Sequence, residues 1–427
     1  MEKKRVVITS LGSINPLATN VDEFWPKIQA GNNGISSLTE LKRPALESPV
    51  GGIVSHFDPQ DYGMTKNEIK GRARFTQFAL IAADEAIQKS GIDFTKIDKD
   101  QVGVVLGVGL CGLDRVEHAI QTLEFEKKRI DELTNGVALM KLLPFTIPSL
   151  IPNSPVAEIC MKYGFHGPSL SVSTACASSL TAIISSVEKI QLGKAKIMVT
   201  GGTEAVINLL SYVGFRSTTA LSGIEDHTTA SRPFDLHRDG FVMGEGSGII
   251  IVEELEHAID RGACIYAEII GVGESSDAYH LVAPGKHAKV AMANAIRDAD
   301  IDPESINYLN AHGTATKEGD VAEVNAIKDV FGEYAHKLHI SSTKSMIGHL
   351  IGAAGAVELI ATILAMQNDC VPPTTNFITP DPLCYLEYIK NHPQKVDIAI
   401  AMKNSFGFGG HNASIILQKY LDWEILK

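Results

Sequence analysis

The sequence predicts an α/β fold built from two similar halves, and three observations support this prediction. Apolar, β-prone runs alternate with helical segments along all 427 residues, which is typical of α/β proteins. The order strand, helix, strand, helix and then a pair of strands occurs twice. A composition of 44% hydrophobic residues, 37 glycines and 6% aromatic residues indicates a large core with helices close to sheets. We place the two halves at residues 1–256 and 257–427.

The first half begins with a buried strand and passes through a mixed region to an amphipathic helix at 75–90. Further strands are predicted at 101–107, 170–174, 195–202 and 249–252. Residues 107–112 read GxGxxG, but a dinucleotide site also requires a second strand that ends in an acidic residue about 20 positions later. No such strand follows, so we interpret these glycines as points where the backbone closely approaches a neighbour or a ligand.

The second half repeats this plan. Strands are predicted at 267–273, 306–312, 339–344, 397–402 and 413–417, and helices at 288–299, 320–331 and 348–366. Ligands of open α/β sheets bind at the carboxyl ends of strands. Because a duplicated fold brings matching strand ends together near its pseudo-twofold axis, we expect Cys176, His312, Lys344 and Phe408 to meet there.

Cys176 lies at a predicted turn between a strand and a helix. The strand residues Leu170 and Val172 precede it, and a helical run begins at Leu180. The N–H groups at a helix start favour thiolate over thiol, and the thiolate is the reactive form. We therefore interpret Cys176 as a candidate nucleophile. The alternative is a small core residue, which free cysteines often are.

Two histidines and a lysine stand at comparable positions in the second half. His312 and Lys344 each end a predicted strand, where a lone histidine is more often structural. His349 opens a predicted helix rich in glycine and alanine, so the helix dipole disfavours its protonated form. A neutral histidine still donates an N–H to a developing anion. Together with a cysteine nucleophile, this set suits thioester chemistry through an oxyanion and an enolate.

Charge and cysteine usage argue against several classes of function. The net charge of −12 argues against nucleic acid as the main partner. The six cysteines include no CxxC pair, which predicts neither a disulfide framework nor a zinc site and points to the reducing cytoplasm. The N-terminal residues lack the apolar stretch of a signal peptide, and no run approaches the roughly 18 apolar residues of a membrane span.

Five sequence segments carry the most specific functional signal. They are Thr174-Ala-Cys-Ala-Ser-Ser, Arg238-Asp-Gly-Phe-Val-Met-Gly-Glu-Gly-Ser-Gly, His312-Gly-Thr-Ala-Thr, Ser342-Thr-Lys-Ser-Met-Ile-Gly-His-Leu and Asn404-Ser-Phe-Gly-Phe-Gly-Gly. In this order they resemble the β-ketoacyl-[acyl-carrier-protein] synthases, above all the elongating synthase II type of bacterial fatty acid synthesis. The resemblance covers nearly the whole chain. It implies a thiolase-like fold, with two duplicated halves packed as a layered α-β-α-β-α sandwich, and a homodimer.

The resemblance also implies a role for each matching residue. Cys176 would carry the acyl group as a thioester. His312 and His349 would bind the malonyl thioester carbonyl and stabilise the enolate left by decarboxylation. Lys344 would hold this network electrostatically, with two carboxylates nearby. The N–H groups of Cys176 and Phe408 would form the oxyanion hole, and Phe408 would gate access. The two carboxylates are Glu323 and Asp320.

Further residues match substrate and ion positions of the family. The phosphopantetheine contacts match Thr314 and Thr316, the acyl pocket matches Leu110, Phe215 and Ile351, and Phe406 lies in the gating loop. Some relatives hold a structural sodium or potassium ion, at positions that match Asn310, Glu358, Asn404 and Ser405. No other cofactor is implied, because the substrates themselves carry phosphopantetheine.

Acyl carrier protein is the partner that the resemblance implies, and it is acidic in this family. Basic residues in an otherwise acidic chain are therefore the docking candidates, although a solvated helix start is the alternative for the first cluster. The candidates are Lys66, Lys70, Arg72, Arg74, Lys127, Lys128 and Arg129.

The predicted reaction is a decarboxylative Claisen condensation with malonyl-acyl carrier protein in fatty acid elongation. A specialised polyketide or secondary-lipid ketosynthase stays open, because the motifs do not set chain length. The complete set of Cys176, His312, Lys344 and His349 argues against a non-catalytic dimer partner. Three departures from the family pattern concern substrate identity rather than chemistry. They are Lys317 in place of a proline, His411, and a long charged segment at 120–145.

Overall fold

A computed structural model describes residues 3–38, 49–133 and 145–420, and for residues 125–133 it describes the backbone alone. The strands are β1 (Val6–Ile14), β2 (Ser36–Ser37), β3 (Val50–Gly51), β4 (Val102–Gly107), β5 (Ser169–Val172), β6 (Ile197–Glu204), β7 (Gly246–Glu254), β8 (Ala267–Ser276), β9 (Tyr308–Asn310), β10 (His339–Ser341), β11 (Cys370–Val371), β12 (Gln394–Lys395), β13 (Ile400–Gly407) and β14 (His411–Gln418).

The α-helices are α1 (Val21–Gln29), α2 (Lys66–Gly71), α3 (Arg74–Lys89), α4 (Leu113–Leu133), α5 (Thr146–Leu150), α6 (Ser154–Tyr163), α7 (Ser178–Gln191), α8 (Leu209–Ser217), α9 (Leu255–Asp260), α10 (Ala288–Ala299), α11 (Lys317–Phe331), α12 (Lys344–Ile347) and α13 (Ala354–Asn368). None of the helices in the described part of the chain is long and apolar enough to cross a membrane.

One sheet of ten strands displays the duplication directly. Its order is β10-β9-β13-β14-β8-β1-β7-β6-β4-β5. Read outward from the β1/β8 contact, the two sets of five strands have the same connectivity. In each set the first two pairings are antiparallel and the last two are parallel. The predicted duplicated fold is therefore confirmed. The predicted boundary between residues 256 and 257 falls within α9 and stays a prediction.

Helices cover both sets of strands to give five layers. The central layer is formed by α7 and α13, which contact each other and strands of both sets. Their small buried residues allow this close packing, as in the run Ala353 to Ala356. Helices α3 and α6 cover the outer face of the first set, while α10 and α11 cover the second. This is the expected α-β-α-β-α sandwich.

Three predicted elements differ from the observed ones in ways that affect the candidate site. The strand predicted at 339–344 ends at Ser341, so that Lys344 does not end a strand but begins α12. The helix predicted at 348–366 begins only at Ala354, because Gly348 and Ile351 have positive φ angles of 73° and 44°, which interrupt the helix. The predicted strand 306–312 shortens to β9, so that His312 lies in the loop after the strand. The differences at 348–366 and 306–312 place irregular backbone at the edge of the sheet where the central helices begin.

Candidate active site

Cys176 lies on a tight 3₁₀ turn, Ala175–Ala177, between β5 and α7. Ala175 adopts a positive φ of 51°, a strained value for a residue with a side chain. Ser178 holds the turn, since its hydroxyl accepts from Thr174 N at 2.9 Å and donates to Ala175 O at 2.6 Å. The sulfur is thereby fixed at the start of the central helix, and the side chain is 7% exposed.

Burial determines the protonation state of Cys176. It raises the pKa of the thiol to about 12, although the Phe408 N–H and the charge of Lys344 act in the opposite direction. The expected preference for thiolate is therefore corrected: burial outweighs the favourable effect of the helix start. At neutral pH this candidate nucleophile is a thiol, which would have to pass its proton to a neighbouring base before it could react.

A second backbone N–H reaches the cysteine from the end of β13. The Phe408 N–H points at the Cys176 sulfur. Gly407 makes this approach feasible: a Cβ there would lie 2.5 Å from Thr174 O and 3.1 Å from Cys176 N. Two N–H groups, of Cys176 and Phe408, thus lie beside the sulfur, next to the place that the oxygen of an attacked carbonyl would occupy.

His312 and His349 face each other next to the cysteine. Their ring centroids lie 5.4 Å apart at an angle of 86°, and Phe406 and Phe241 flank the pair. Burial, and then the Lys344 charge, lowers the pKa of both imidazoles well below 6.5. Both rings are therefore neutral at pH 7. His349 reaches this state in a bridge to Met243 rather than at a helix start, so desolvation replaces the helix dipole as the cause.

Two buried carboxylates hold the loop that carries His312. Glu323 accepts N–H groups of His312 and Gly313 at 2.8 and 2.7 Å. Asp320 accepts from Thr314, Ala315 and Phe234 at 3.1, 3.1 and 2.8 Å. Burial raises the pKa of both, to about 7 for Asp320. The structure gives these carboxylates a role in fixing the loop, and the carboxylate paired with Lys344 is a different one.

Lys344 pairs with Glu358 inside the protein. Its Nζ lies 2.7 Å from Oε1 and 2.8 Å from Oε2 of Glu358, and both side chains are buried. A second lysine, Lys403, approaches the same carboxylate at 2.6 Å. The sequence analysis did not identify Lys403. The signal was available, because a single charged residue interrupts the apolar run of β13.

Three of the four residues assigned to a sodium or potassium ion, Asn310, Glu358 and Asn404, contact the Lys403 ammonium. Its Nζ donates to the carbonyl oxygens of Asn404, Ala311 and Asn310 at 2.6, 3.1 and 3.4 Å. The Asn404 side chain is bonded elsewhere, to Ser414 and Met292. The Lys403 ammonium thus occupies the carbonyl and carboxylate oxygens that a cation would use, while the buried side-chain oxygens of Asn310 and Ser405 have no hydrogen-bond partner.

A cavity of about 410 Å³ joins these groups. Cys176, His312, His349 and Phe408 line it together with five predicted substrate residues, which are Thr314, Thr316, Phe406, Phe215 and Ile351. Leu110 packs behind the wall in an apolar cluster with Cys176. Exposed Lys317 also lines the cavity, where the family pattern has proline.

The GxGxxG segment supports this cavity from behind. A Cβ at Gly107 would lie 2.2 Å from the backbone of Ser178, so the glycine allows β4 to approach α7 closely. The N–H groups of Gly109 and Leu110 donate to the buried carboxylate of Glu204, each at 3.0 Å. Burial raises the pKa of Glu204 to about 8. The interpretation of these glycines as points of close approach agrees with this geometry.

The carrier docking candidates divide into three groups. Lys66 and Lys70 are exposed on α2. Arg72 is engaged by Glu158 at 2.6 Å, and Arg74 by the buried Glu245 at 2.6 Å. Because Arg74 also stacks on two phenylalanine rings, the two arginines stabilise the fold rather than present free charge. The side chains of Lys127, Lys128 and Arg129, and residues 134–144 of the charged segment, lie outside the described residues.

Comparisons with known proteins agree with this geometry. The family model of the beta-ketoacyl synthase N-terminal domain matches residues 3–258, and that of the C-terminal domain matches residues 266–378. The chain is 42% identical over 424 residues to 3-oxoacyl-[acyl-carrier-protein] synthase 2 of Synechocystis sp., covering 98% of this chain and 99% of the relative. The enzyme of the same name from Staphylococcus aureus (strain COL) is 42% identical over 422 residues, with the same coverage.

A solved structure is similar over the same length. It is a type II polyketide ketosynthase in complex with its acyl-carrier protein and bound to the hexaketide. The TM-score is 0.89 at 33% sequence identity, and the match covers 98% of this chain and all of that one.

Proposed function

The chain belongs to the β-ketoacyl synthase family, and from this premise we propose that it elongates acyl chains by decarboxylative Claisen condensation. An acyl group held as a thioester on Cys176 reacts with malonyl-acyl carrier protein to give 3-oxoacyl-acyl carrier protein. The observation that carries this proposal is the meeting of Cys176, two neutral histidines and the Phe408 N–H in one cavity.

The first half-reaction transfers the acyl group to the enzyme. A neutral imidazole of the pair takes the Cys176 proton, and the sulfur attacks the thioester carbonyl of the acyl-carrier protein. The N–H groups of Cys176 and Phe408 hold the oxyanion, a contribution typically worth about 10²–10³ in rate per donor. When the carbon–sulfur bond to the carrier breaks, the leaving thiolate takes up the same proton, and both histidines are neutral again.

The second half-reaction forms the carbon–carbon bond. N–H groups of His312 and His349 bind the malonyl thioester oxygen, and the bond to the malonyl carboxylate breaks to release CO₂. The electron pair becomes an enolate, which attacks the acyl carbonyl on Cys176. The Cys176 sulfur leaves and takes up one proton. Atoms and electrons balance without an oxidant or reductant, so we propose no redox cofactor.

Two partners belong to this proposal. The first is acyl carrier protein, which the names of the relatives specify as the substrate carrier of those enzymes. The second is another copy of the chain. Support for a homodimer comes from β5, which is an edge strand of the sheet, and from exposed apolar side chains on the preceding helices, including Ile147 and Met161. Six free cysteines suit the reducing cytoplasm as the compartment.

Fatty acid elongation is favoured over a specialised pathway. The two synthase 2 relatives are 42% identical over nearly the full chain, while the polyketide ketosynthase is 33% identical. The acyl chain length separates these pathways experimentally.

Intact-mass measurement after incubation with acyl carrier proteins of varied chain length tests the proposal. We expect a single acyl adduct on the wild type and none on Cys176→Ala. Cys111→Ala serves as the matched control, because Cys111 is a half-buried thiol whose pKa burial likewise raises to about 12. This variant should keep the adduct. An adduct that persists in Cys176→Ala, or none with any chain length, would overturn the proposal.

A further inference from the structure

The buried ammonium of Lys403 has the surroundings of a bound metal cation. Lys403 is fully buried in β13, opposite Asn310 of β9. Its Nζ contacts one carboxylate oxygen of Glu358 and three backbone carbonyl oxygens. Rings of carbonyl oxygens replace the hydration shell of potassium in proteins, and ammonium offers a similar charge to the same oxygens. A buried charge is tolerated only when it is paired in this way.

We propose that Lys403 is a built-in cation, which replaces a sodium or potassium ion in this site and makes the enzyme independent of monovalent cations. The inference rests on the proposed condensation and assigns Lys403 as a positioning residue for it. Lys403 acts through Glu358 and does not touch the reacting atoms.

The net charge of the group formed by Lys344, Glu358 and Lys403 explains how Lys403 affects the histidines. Glu358 carries one negative charge and faces two ammonium groups, those of Lys344 and Lys403. The trio therefore has a net charge of +1. Both histidines sense this charge, since Lys344 and Lys403 each lower their pKa. Without Lys403, Glu358 would neutralise Lys344, and the histidines would protonate more readily.

The expected consequence appears in the pH profile. The groups that face this cluster are Lys344, Glu358, Glu323, His312 and His349. Loss of the Lys403 charge raises the pKa of His349 towards its ordinary value. Because the neutral imidazoles are the working forms, the acid limb of kcat/KM should move to higher pH. A cation bound among the same oxygens should move it back.

The experiment compares the wild type with Lys403→Ala in choline, sodium, potassium and ammonium salts at constant ionic strength. The wild type should show the same kcat/KM in all four. In choline the variant should lose about tenfold at pH values well below the pKa of His349, which corresponds to a one-unit rise of that pKa, and should lose little at pH 7. Potassium, sodium or ammonium should restore it and raise the melting temperature of the variant. Lys419→Ala, which removes a lysine paired with Asp369 near the surface, should show no cation dependence.

Loss of wild-type activity in choline would overturn the inference, as would a Lys403→Ala variant whose melting temperature and activity ignore the cations. If Lys403→Ala does not fold in any salt, the Lys403→Met variant is measured instead, because methionine fills a similar space without a charge. Its acid limb should lie at higher pH in every salt, and an unshifted limb would contradict the inference. The melting-temperature titration needs no substrate. A failure of the proposed condensation, seen as an inactive wild type, is therefore a separate outcome.

Discussion

The two active-site histidines show how single residues obtain their properties from burial and charge. His312 and His349 are desolvated by burial and lie close to lysine ammonium groups, and both factors lower their pKa well below 6.5. Neutral imidazoles can take the proton of a thiol and then donate an N–H to an enolate oxygen. In the proposed reaction the same two residues would therefore serve both half-reactions.

This protonation state predicts how folding stability depends on pH. Below pH 6.5 the unfolded chain binds protons on His312 and His349 that the folded chain does not bind, so the free energy of unfolding falls as pH falls. For two groups the slope is about 2.7 kcal/mol per pH unit. We expect denaturant titrations between pH 6.5 and 5 to show a steeper decline for the wild type than for the His312→Gln/His349→Gln double variant. Equal slopes would contradict the neutral assignment.

The sequence predicted where Cys176 lies in the fold but not its charge state. The turn could be predicted, because strand-forming residues change to small residues at Ala175 and a helical run follows. The pKa depends on how deeply the completed fold buries the sulfur, which local sequence does not contain. The lone charge of Lys403 in β13 was visible in the sequence, but its role was not, because its partners Glu358 and Asn310 come from two other elements.

Among the secondary-structure elements, the end of β13 has the strictest geometric requirement. Gly407 allows its backbone to approach Cys176 so closely that any side chain would collide with Thr174 O. We expect Gly407→Ala to displace the Phe408 N–H and to lower kcat by about 10²–10³-fold, the usual effect of losing one oxyanion donor. Steady-state kinetics with saturating substrates measure this.

Gly214→Ala in α8 is the matched control, since a Cβ there meets nothing within 4 Å. It should leave kcat unchanged. A Gly407→Ala enzyme with the wild-type kcat and a wild-type circular dichroism spectrum would show that the Phe408 N–H takes no part in catalysis.

Substitutions in α2 and at Arg74, which follows it in the chain, distinguish carrier docking from folding stability. Reversing the exposed Lys66 and Lys70 to Glu should raise the KM for acyl carrier protein and flatten its dependence on salt, because an attraction is removed. Arg74→Ala should act differently. It leaves the buried Glu245 unpaired, so it should lower the unfolding free energy by up to about 3 kcal/mol with the salt dependence of KM retained. Unchanged KM in the Lys66→Glu/Lys70→Glu variant would exclude α2 from docking.

At the scale of the whole molecule, the repeated order of elements was readable from sequence because each half shows the same sequence of patterns. It was harder to predict from the sequence which helices form the central layer. That layer depends on which helices contact both sets of strands, and α7 and α13 do so through small residues that carry little periodic signal. The late start of α13 likewise arises from the positive φ angles at Gly348 and Ile351, which fit His349 into its bridge.

The free edge of the sheet predicts how two copies associate. Carbonyl groups of Pro168 and Val172 face β4, where they accept from Val104 and Val108. The backbone of Ser171 therefore faces outward. Ser171→Pro removes one outward N–H from each copy and should weaken the proposed dimer, if it forms through β5, by about 2–3 kcal/mol, or roughly 30–150-fold in Kd. Sedimentation velocity measures this.

Ser171→Ala controls for the lost side-chain bond to Pro152 O, which is 3.0 Å long in the structure. It should remain dimeric. A proline variant that sediments like the wild type at all concentrations would place the interface elsewhere on the molecule.

In the proposed reaction, one cavity carries out both acyl transfer and decarboxylative condensation. The most direct test of this reaction follows CO₂ release and product mass together, with acyl- and malonyl-carrier proteins as substrates. We predict that the wild type releases one CO₂ for each 3-oxoacyl product and that Cys176→Ala forms no such product. A wild type that leaves malonyl-carrier protein intact, or a Cys176→Ala variant that still makes 3-oxoacyl-carrier protein, would contradict the account.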